Sequence, residues 1–216
     1  MNASDATIEV VLGTGNAKKL RELEIALQRD VTPSGQTTAW RLSSLADYPD
    51  AIEVDETGDT FEANATLKAC QQAKHLDRWV VADDSGLAVD AIDGQPGVHS
   101  ARYAGTHGDD EANNQKLLAA LSDVPPERRD ASFVCVLCLS DPSGNVRAMA
   151  RGHCRGRIIG AAQGRTGFGY DPLFLIREYH RTFAELDLRV KRAISHRAVA
   201  MRKFVPQMIQ AIAESV

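Results

Sequence analysis

The sequence predicts an α/β fold built on a mixed β-sheet with flanking helices, and three observations carry that expectation. A short apolar run, Ile8 to Leu12, is followed by a glycine turn and then by Leu20, Leu23 and Leu27 at helical spacing. Ala131 to Ser140, the DPSGN connection and Val146 to Ala150 read as two strands of a hairpin, which a purely parallel sheet would not contain. A chain of 216 residues with 44% hydrophobic residues is long enough to bury a sizeable core in one domain, or in two lobes sharing one sheet.

In chain order, strand Ile8 to Leu12 leads into GTGNAKK, residues 13 to 19, at the start of the first helix. Free backbone N–H groups and the helix dipole favour an anion there, at Thr14, Gly15 and Asn16, with Lys19 a turn further on. A dinucleotide fingerprint or a Walker loop opening at Gly13 would need glycine where Lys18 stands, so neither label applies. A plain Asn16 N-cap with solvated lysines fits the same residues. Residues 29 to 50, polar and containing Pro and Gly around Trp40, read as loop with one short strand.

Asp59 and Glu62 have the spacing of a capping-box variant that opens a second helix, continuing to Leu76. Asn64 and Lys68 then lie one turn apart on one face, and Glu56 can point over the same helix end. As bare residues, Glu56 and Lys68 fit ordinary surface charges equally well. Val80 to Ala82 read as a short buried strand ended by Ser85 and Gly86, delivering the adjacent carboxylates Asp83 and Asp84 into a turn. Ligands in open α/β sheets sit beyond the carboxyl ends of strands, so a metal or a general base belongs here. Asp-Ser-Gly is also good turn chemistry, which leaves a capping role open.

Leu87 to Ile92 reads as a strand, residues 93 to 97 as a turn, and Asp110 to Leu121 as a helix with Leu117, Leu118 and Leu121 inward. GRTGFGYDPLFLI, residues 164 to 176, sets three glycines around Phe168 and Tyr170 before an apolar run. That composition suits a loop that approaches a ligand closely and stacks a ring on it, or a packed turn with both rings in the core. In residues 191 to 214, Ser195 is the expected N-cap of a closing helix whose apolar stripe is Ala198, Met201, Val205, Met208 and Ile212, kinked or interrupted at Pro206. His196 and Arg197 fall in its first turn, where cations oppose the helix dipole, so a ligand acceptor or a carboxylate is wanted nearby.

Composition narrows the function classes. A net charge of −4 provides no global field for a nucleic-acid polymer. Residues 1 to 7 lack the features of a signal peptide, and the longest apolar run, Phe133 to Leu139, is too short for a bilayer, so the expectation is a cytoplasmic protein that does not engage membranes. Cys70, Cys135, Cys138 and Cys154 show no disulfide framework. Cys135 and Cys138 form a C-x-x-C match on a strand, where side chains three apart point to opposite faces, which argues against a zinc site.

Six ordered segments, TGNAKK at 14 to 19, ETGDTFEANATLKA at 56 to 69, ADDSGLAVDAIDGQPGVHSARYAG at 82 to 105, GFGYDPLF at 167 to 174, TFAEL at 182 to 186 and KRAISHR at 191 to 197, resemble the inosine triphosphate pyrophosphatase family. The resemblance covers nearly the full chain. It implies a single two-lobed α/β domain over residues 1–216, built around a long mixed sheet, with the active site in the inter-lobe cleft and a homodimeric assembly. It also implies Mg²⁺-dependent cleavage of deaminated purine nucleoside triphosphates to monophosphate and pyrophosphate. By the same resemblance Asp84 is the general base, Asp83 assists it, and Glu56 with Asp84 holds the metal. Thr14, Gly15, Asn16, Lys19, Lys68, Ser85 and Lys191 grip the phosphates, while Phe168, Gly169, Tyr170, Asp171, His196 and Arg197 receive the base. Lys18 departs from the family pattern, which usually has glycine there. Other modified nucleotides as substrates, or a non-catalytic nucleotide sensor, are the competing readings.

Overall fold

A computed structural model of the chain describes residues 8–13, 21, 24, 25 and 40–215. The phosphate positions read at Thr14, Gly15, Asn16 and Lys19, together with Lys18, lie outside the described residues, as does most of the first helix, although positions 21, 24 and 25 are helical. The strands are β1 Ile8–Leu12, β2 Trp40–Ser44, β3 Trp79–Val89, β4 Asp130–Ser140, β5 Val146–Ile158, β6 Phe174–Ile176 and β7 Arg181–Thr182. The helices that matter below are α1 Phe61–Leu76, α2 Asp110–Ala120, α3 Leu188–Ile194 and α4 His196–Ala213.

Seven strands form one sheet in the order β2-β1-β3-β4-β5-β6-β7. β1 is parallel to β2 and to β3, pairing Val10 with Leu42 and Val11 with Val80. β6 is antiparallel to β5 and to β7, so the sheet is mixed, as the hairpin pattern predicts. The chain divides into two compact units, Met1–Asp84 with Val136–Arg151 and Ala200–Val216, and Ser85–Cys135 with Gly152–Val199. In the first, Val10, Val11 and Leu12 are fully buried, as are Ala65, Ala69 and Ala73 of α1, Val80 of β3 and Phe204, Val205 and Ile212 of α4. The second is centred on aromatic rings, with Phe133 at 4.5 Å from Phe174 and 5.7 Å from Phe183 between ring centroids.

Several elements depart from the sequence-based expectation. β3 does not stop at Ser85; it runs 11 residues to Val89, so Asp83 and Asp84 lie within a strand rather than in a turn. Gly86 is there for space: a Cβ would meet the Ser100 hydroxyl and sit 2.5 Å from the Gly97 carbonyl. That hydroxyl accepts from Leu87 N at 2.8 Å and donates to Gly97 O at 2.6 Å, bringing the 97–102 turn against the strand. The run expected as strand to Ile92 leaves the sheet at Val89 and closes with a 3-10 turn, Asp90–Ile92. The cap of α1 is Thr60, whose side chain accepts from Ala63 N at 3.1 Å, and not Asp59. β5 is 13 residues long and extends well past Ala150.

At the C-terminus, Ser195 separates two helices. Its N–H donates to Lys191 O at 2.9 Å, ending α3, and its hydroxyl accepts from Ala198 N at 3.2 Å, capping α4 as expected. α4 continues through Pro206 without interruption, and Phe204 rather than Ala198 belongs to its buried face. The TFAEL segment forms a capping box, with Thr182 N donating to Glu185 Oε2 at 2.9 Å, and Ala184 carries the 164–171 loop through Thr166 Oγ1→Ala184 O at 2.6 Å.

Candidate active site

One face of α1 organises the acidic centre. Asn64, Lys68 and Gln72 follow at intervals of four residues, so their side chains line up on one side of the helix. Each holds something. Gln72 Oε1 accepts from Ile52 N at 3.3 Å and its Nε2 donates to Ile52 O, while Asn64 Oδ1 accepts from Gly58 N at 2.8 Å. The intervening segment has no regular structure of its own, and these two anchors fix it along the helix. Glu56 lies between them, and its Oε1 accepts from Lys68 Nζ at 3.0 Å. The same ammonium donates to Asp84 Oδ1 at 3.3 Å, and Asn64 Nδ2 donates to Asp84 Oδ2 at 3.3 Å. Glu56 and Asp84, 28 positions apart in sequence, therefore converge on one cation.

The electrostatics follow from burial. Asp84 is only 6% exposed, and loss of water pushes its carboxyl above the ordinary value; the Lys68 ammonium opposes that shift, and the Glu56 charge adds to it. Burial alone would lower Lys68, but the attraction of Asp84, Glu56 and Asp83 outweighs it and leaves the amine above its ordinary value. Lys68 is thus a protonated, half-buried cation and not an ordinary surface charge. Successive side chains of a strand point to opposite faces, so it is Asp84 and not Asp83 that meets α1. Asp83 is itself buried and contributes to the field on Lys68.

The donor set suits a hard divalent cation. Mg²⁺ takes carboxylate oxygens from one or two residues and fills its octahedron with phosphate and water oxygens. Glu56 and Asp84 already share a cation, which makes them the fitting pair. Among the described residues no group of three or more His, Cys, Asp or Glu is placed to hold a metal ion.

The second unit carries the other residues. The 164–171 loop leaves Phe168 half exposed, whereas Tyr170 is 4% exposed, packed in the core with its hydroxyl donating to Ser100 O at 2.8 Å. Of the two rings, the packed-turn alternative describes Tyr170, and Phe168 is the half-exposed one. Lys191 Nζ donates to Asp171 Oδ2 at 3.1 Å. Burial pushes Asp171 above the ordinary carboxylate value, with the Lys191 ammonium and the Arg197 charge opposing. The His196 ring stacks on Phe133 at 5.0 Å, and Arg197 is buried. Ser85 follows Asp84 in β3.

Sequence reasoning placed Asn64 beside Lys68 without giving it a role, and it missed Asp110 and Asn114. Asp110 Oδ2 accepts from Gly169 N at 2.6 Å and Asn114 Nδ2 donates to Gly169 O at 3.0 Å. Acidic and amide residues at a helix start look like routine capping, so only the partner, 55 positions away or more, shows otherwise.

A family model described as the Ham1 family matches residues 10–207. A protein of Rhodopirellula baltica named dITP/XTP pyrophosphatase is 59% identical over 204 residues, spanning 94% of each chain. Another so named, from Exiguobacterium sp., is 48% identical over 94% of this chain and 97% of its own. Among solved structures, a HAM1 protein from Coxiella burnetii superposes with TM-score 0.83 at 35% identity, covering 94% of this chain and 98% of its own. A nucleoside-triphosphatase / dITP/XTP pyrophosphatase from Mycobacterium abscessus does so with TM-score 0.77 at 46% identity, covering 91% and 97%.

Proposed function

The chain belongs to the Ham1 family, and on that premise we propose that it hydrolyses deaminated purine nucleoside triphosphates, dITP, ITP and XTP, to the monophosphate and pyrophosphate. The observation that carries this reading is the shared cation of Glu56 and Asp84 at Lys68. A triphosphate brings about four negative charges, and its cleavage depends chiefly on positioning and electrostatic stabilisation. One lysine about 4 Å from a phosphate oxygen supplies on the order of 4 kcal/mol at an effective dielectric near 20, before desolvation, so several cations are needed.

Asp84 is the general base that takes the proton of the attacking water. Its raised basicity, with Asn64 holding one oxygen, suits that task. Lys68 orients the carboxylates and offers its charge to the polyphosphate; Lys191, held by Asp171, is assigned the same service, together with Thr14, Gly15, Asn16, Lys19 and Ser85. Mg²⁺ would be held by Glu56 and Asp84, and when bound it supplies charge neutralisation for the polyphosphate. Asp83 supports the negative field around Lys68.

Base selection falls to the second unit's residues. Phe168 supplies the stacking face, Gly169, Tyr170 and Asp171 fix the loop, and His196 and Arg197 are assigned the donors. A 6-oxo group on hypoxanthine or xanthine accepts where the adenine amino group cannot, and a site that leaves buried donors unmatched can reject the wrong base by roughly 10⁴-fold. The net charge of −4 agrees with a free nucleotide rather than a polymer as substrate. No helix among the described residues is long and apolar enough to cross a membrane. A cytoplasmic homodimer completes the reading.

The test is pyrophosphate release across inosine, xanthosine, guanosine, adenosine and pyrimidine triphosphates, with and without Mg²⁺. The expected result is selective release from inosine and xanthosine triphosphates in Mg²⁺. Preference for a pyrimidine triphosphate, or binding without turnover, would overturn it.

A further inference from the structure

We infer that Asp110 and Asn114 are positioning residues for base recognition, clamping the backbone of Gly169 through both its N–H and its C=O and so setting how Phe168 is presented. This rests on the assignment of the 164–171 loop to the base. The two side chains lie one turn apart at the start of α2 and therefore share a face. Asp110 takes the N–H of Gly169 at 2.6 Å and Asn114 takes its carbonyl at 3.0 Å, so one helix satisfies both polar groups of a single loop residue.

The position needs such a clamp. Gly169 has φ of 60°, in the left-handed region, and a Cβ there would have nothing within 4 Å, so side-chain packing does not hold this backbone. On one side Tyr170 is locked into the core through Ser100 O; on the other Phe168 is 50% exposed. The direction in which the chain leaves Tyr170 is fixed at Gly169, and the exposed ring follows from it.

The helix is equipped to serve as a rigid mount. Asn113 is 2% exposed and grips the 101–104 backbone, accepting from Ala104 N at 2.7 Å and donating to Ala101 O at 3.3 Å. The helix cap is filled by Asp109, which accepts from Ala112 N at 3.0 Å, so Asp110 is not spent on capping. Asn114 Oδ1 is buried without a hydrogen-bond partner among the described residues. A buried acceptor left unpaired needs a reason, and the reason here is that the amide is turned to donate to Gly169.

The experiment measures steady-state hydrolysis of inosine triphosphate in Mg²⁺ by the full chain and by Asn114→Asp, Asp110→Ala, Asp110→Asn and Gly169→Ala. Inorganic tripolyphosphate serves as a competitive inhibitor that reports the phosphate grip alone. Asn114→Asp keeps the shape and removes the donor, and Gly169→Ala disturbs only the left-handed backbone. For Asn114→Asp, Asp110→Ala and Gly169→Ala we expect KM for inosine triphosphate to rise about tenfold, with kcat and the inhibition constant of tripolyphosphate within twofold of the parent. Asp110→Asn, which keeps an acceptor for Gly169 N, should recover most of the loss. Unchanged KM in Asn114→Asp and Gly169→Ala, or a parallel loss of tripolyphosphate binding, overturns the inference. A parent protein inert toward inosine and xanthosine triphosphates overturns the functional reading and this inference with it.

Discussion

Lys68 sits between two carboxylates, and removing its charge while keeping its length should separate what it does for stability from what it does for Asp84. Lys68→Met leaves Glu56 and Asp84 facing each other without a cation, a change expected to cost on the order of 3 kcal/mol near neutral pH, readable by denaturant unfolding. The pH dependence has a definite sign. The folded amine lies above the ordinary 10.5, so its stabilisation is fully present below that value and is lost as pH rises through the folded pKa. The parent should therefore lose stability above about pH 10.5 in a way Lys68→Met does not. Catalysis moves at the other end of the scale. Lys68 holds the Asp84 carboxyl down against its desolvation, so in Lys68→Met the acid limb of kcat/KM should shift to higher pH. An acid limb that stays in place would remove Asp84 as the titrating group.

Among the elements, β3 is where sequence reasoning fell short for a clear reason. Ser85 and Gly86 carry turn chemistry, and with Asp83 and Asp84 before them they read as the end of a strand. In the fold the strand continues because Gly86 admits the Ser100 hydroxyl at a point where any side chain would collide. Gly86→Ala should accordingly cost about 1–3 kcal/mol by overpacking, measured by thermal or denaturant unfolding; a neutral substitution would mean the 97–102 turn is free to retreat. The polar face of α1 was partly legible, since Asn64 and Lys68 stand one turn apart, but the segment they hold has no periodicity to read. The cap shifted by one residue, from Asp59 to Thr60, because both residue types cap helices and only the Thr60 contact to Ala63 decides between them.

At the scale of the whole molecule, the mixed α/β sheet was readable from one hairpin and alternating strand and helix periods, because those patterns are local. The convergence of Glu56 with Asp84 and the clamp on Gly169 were not readable that way, since each joins segments with no pattern linking them. Ordered motifs supplied the first by resemblance; the second needed coordinates. The account depends on Asp84 being the group that activates water in a pyrophosphate-releasing enzyme. The most direct measurement is pyrophosphate release from inosine and xanthosine triphosphates by Asp84→Asn beside the parent, in Mg²⁺, with unfolding curves to show that both are folded. The account predicts a folded variant whose release falls by at least a hundredfold, the loss expected when a general base is removed. A folded Asp84→Asn protein that releases pyrophosphate at the parent's rate would contradict it.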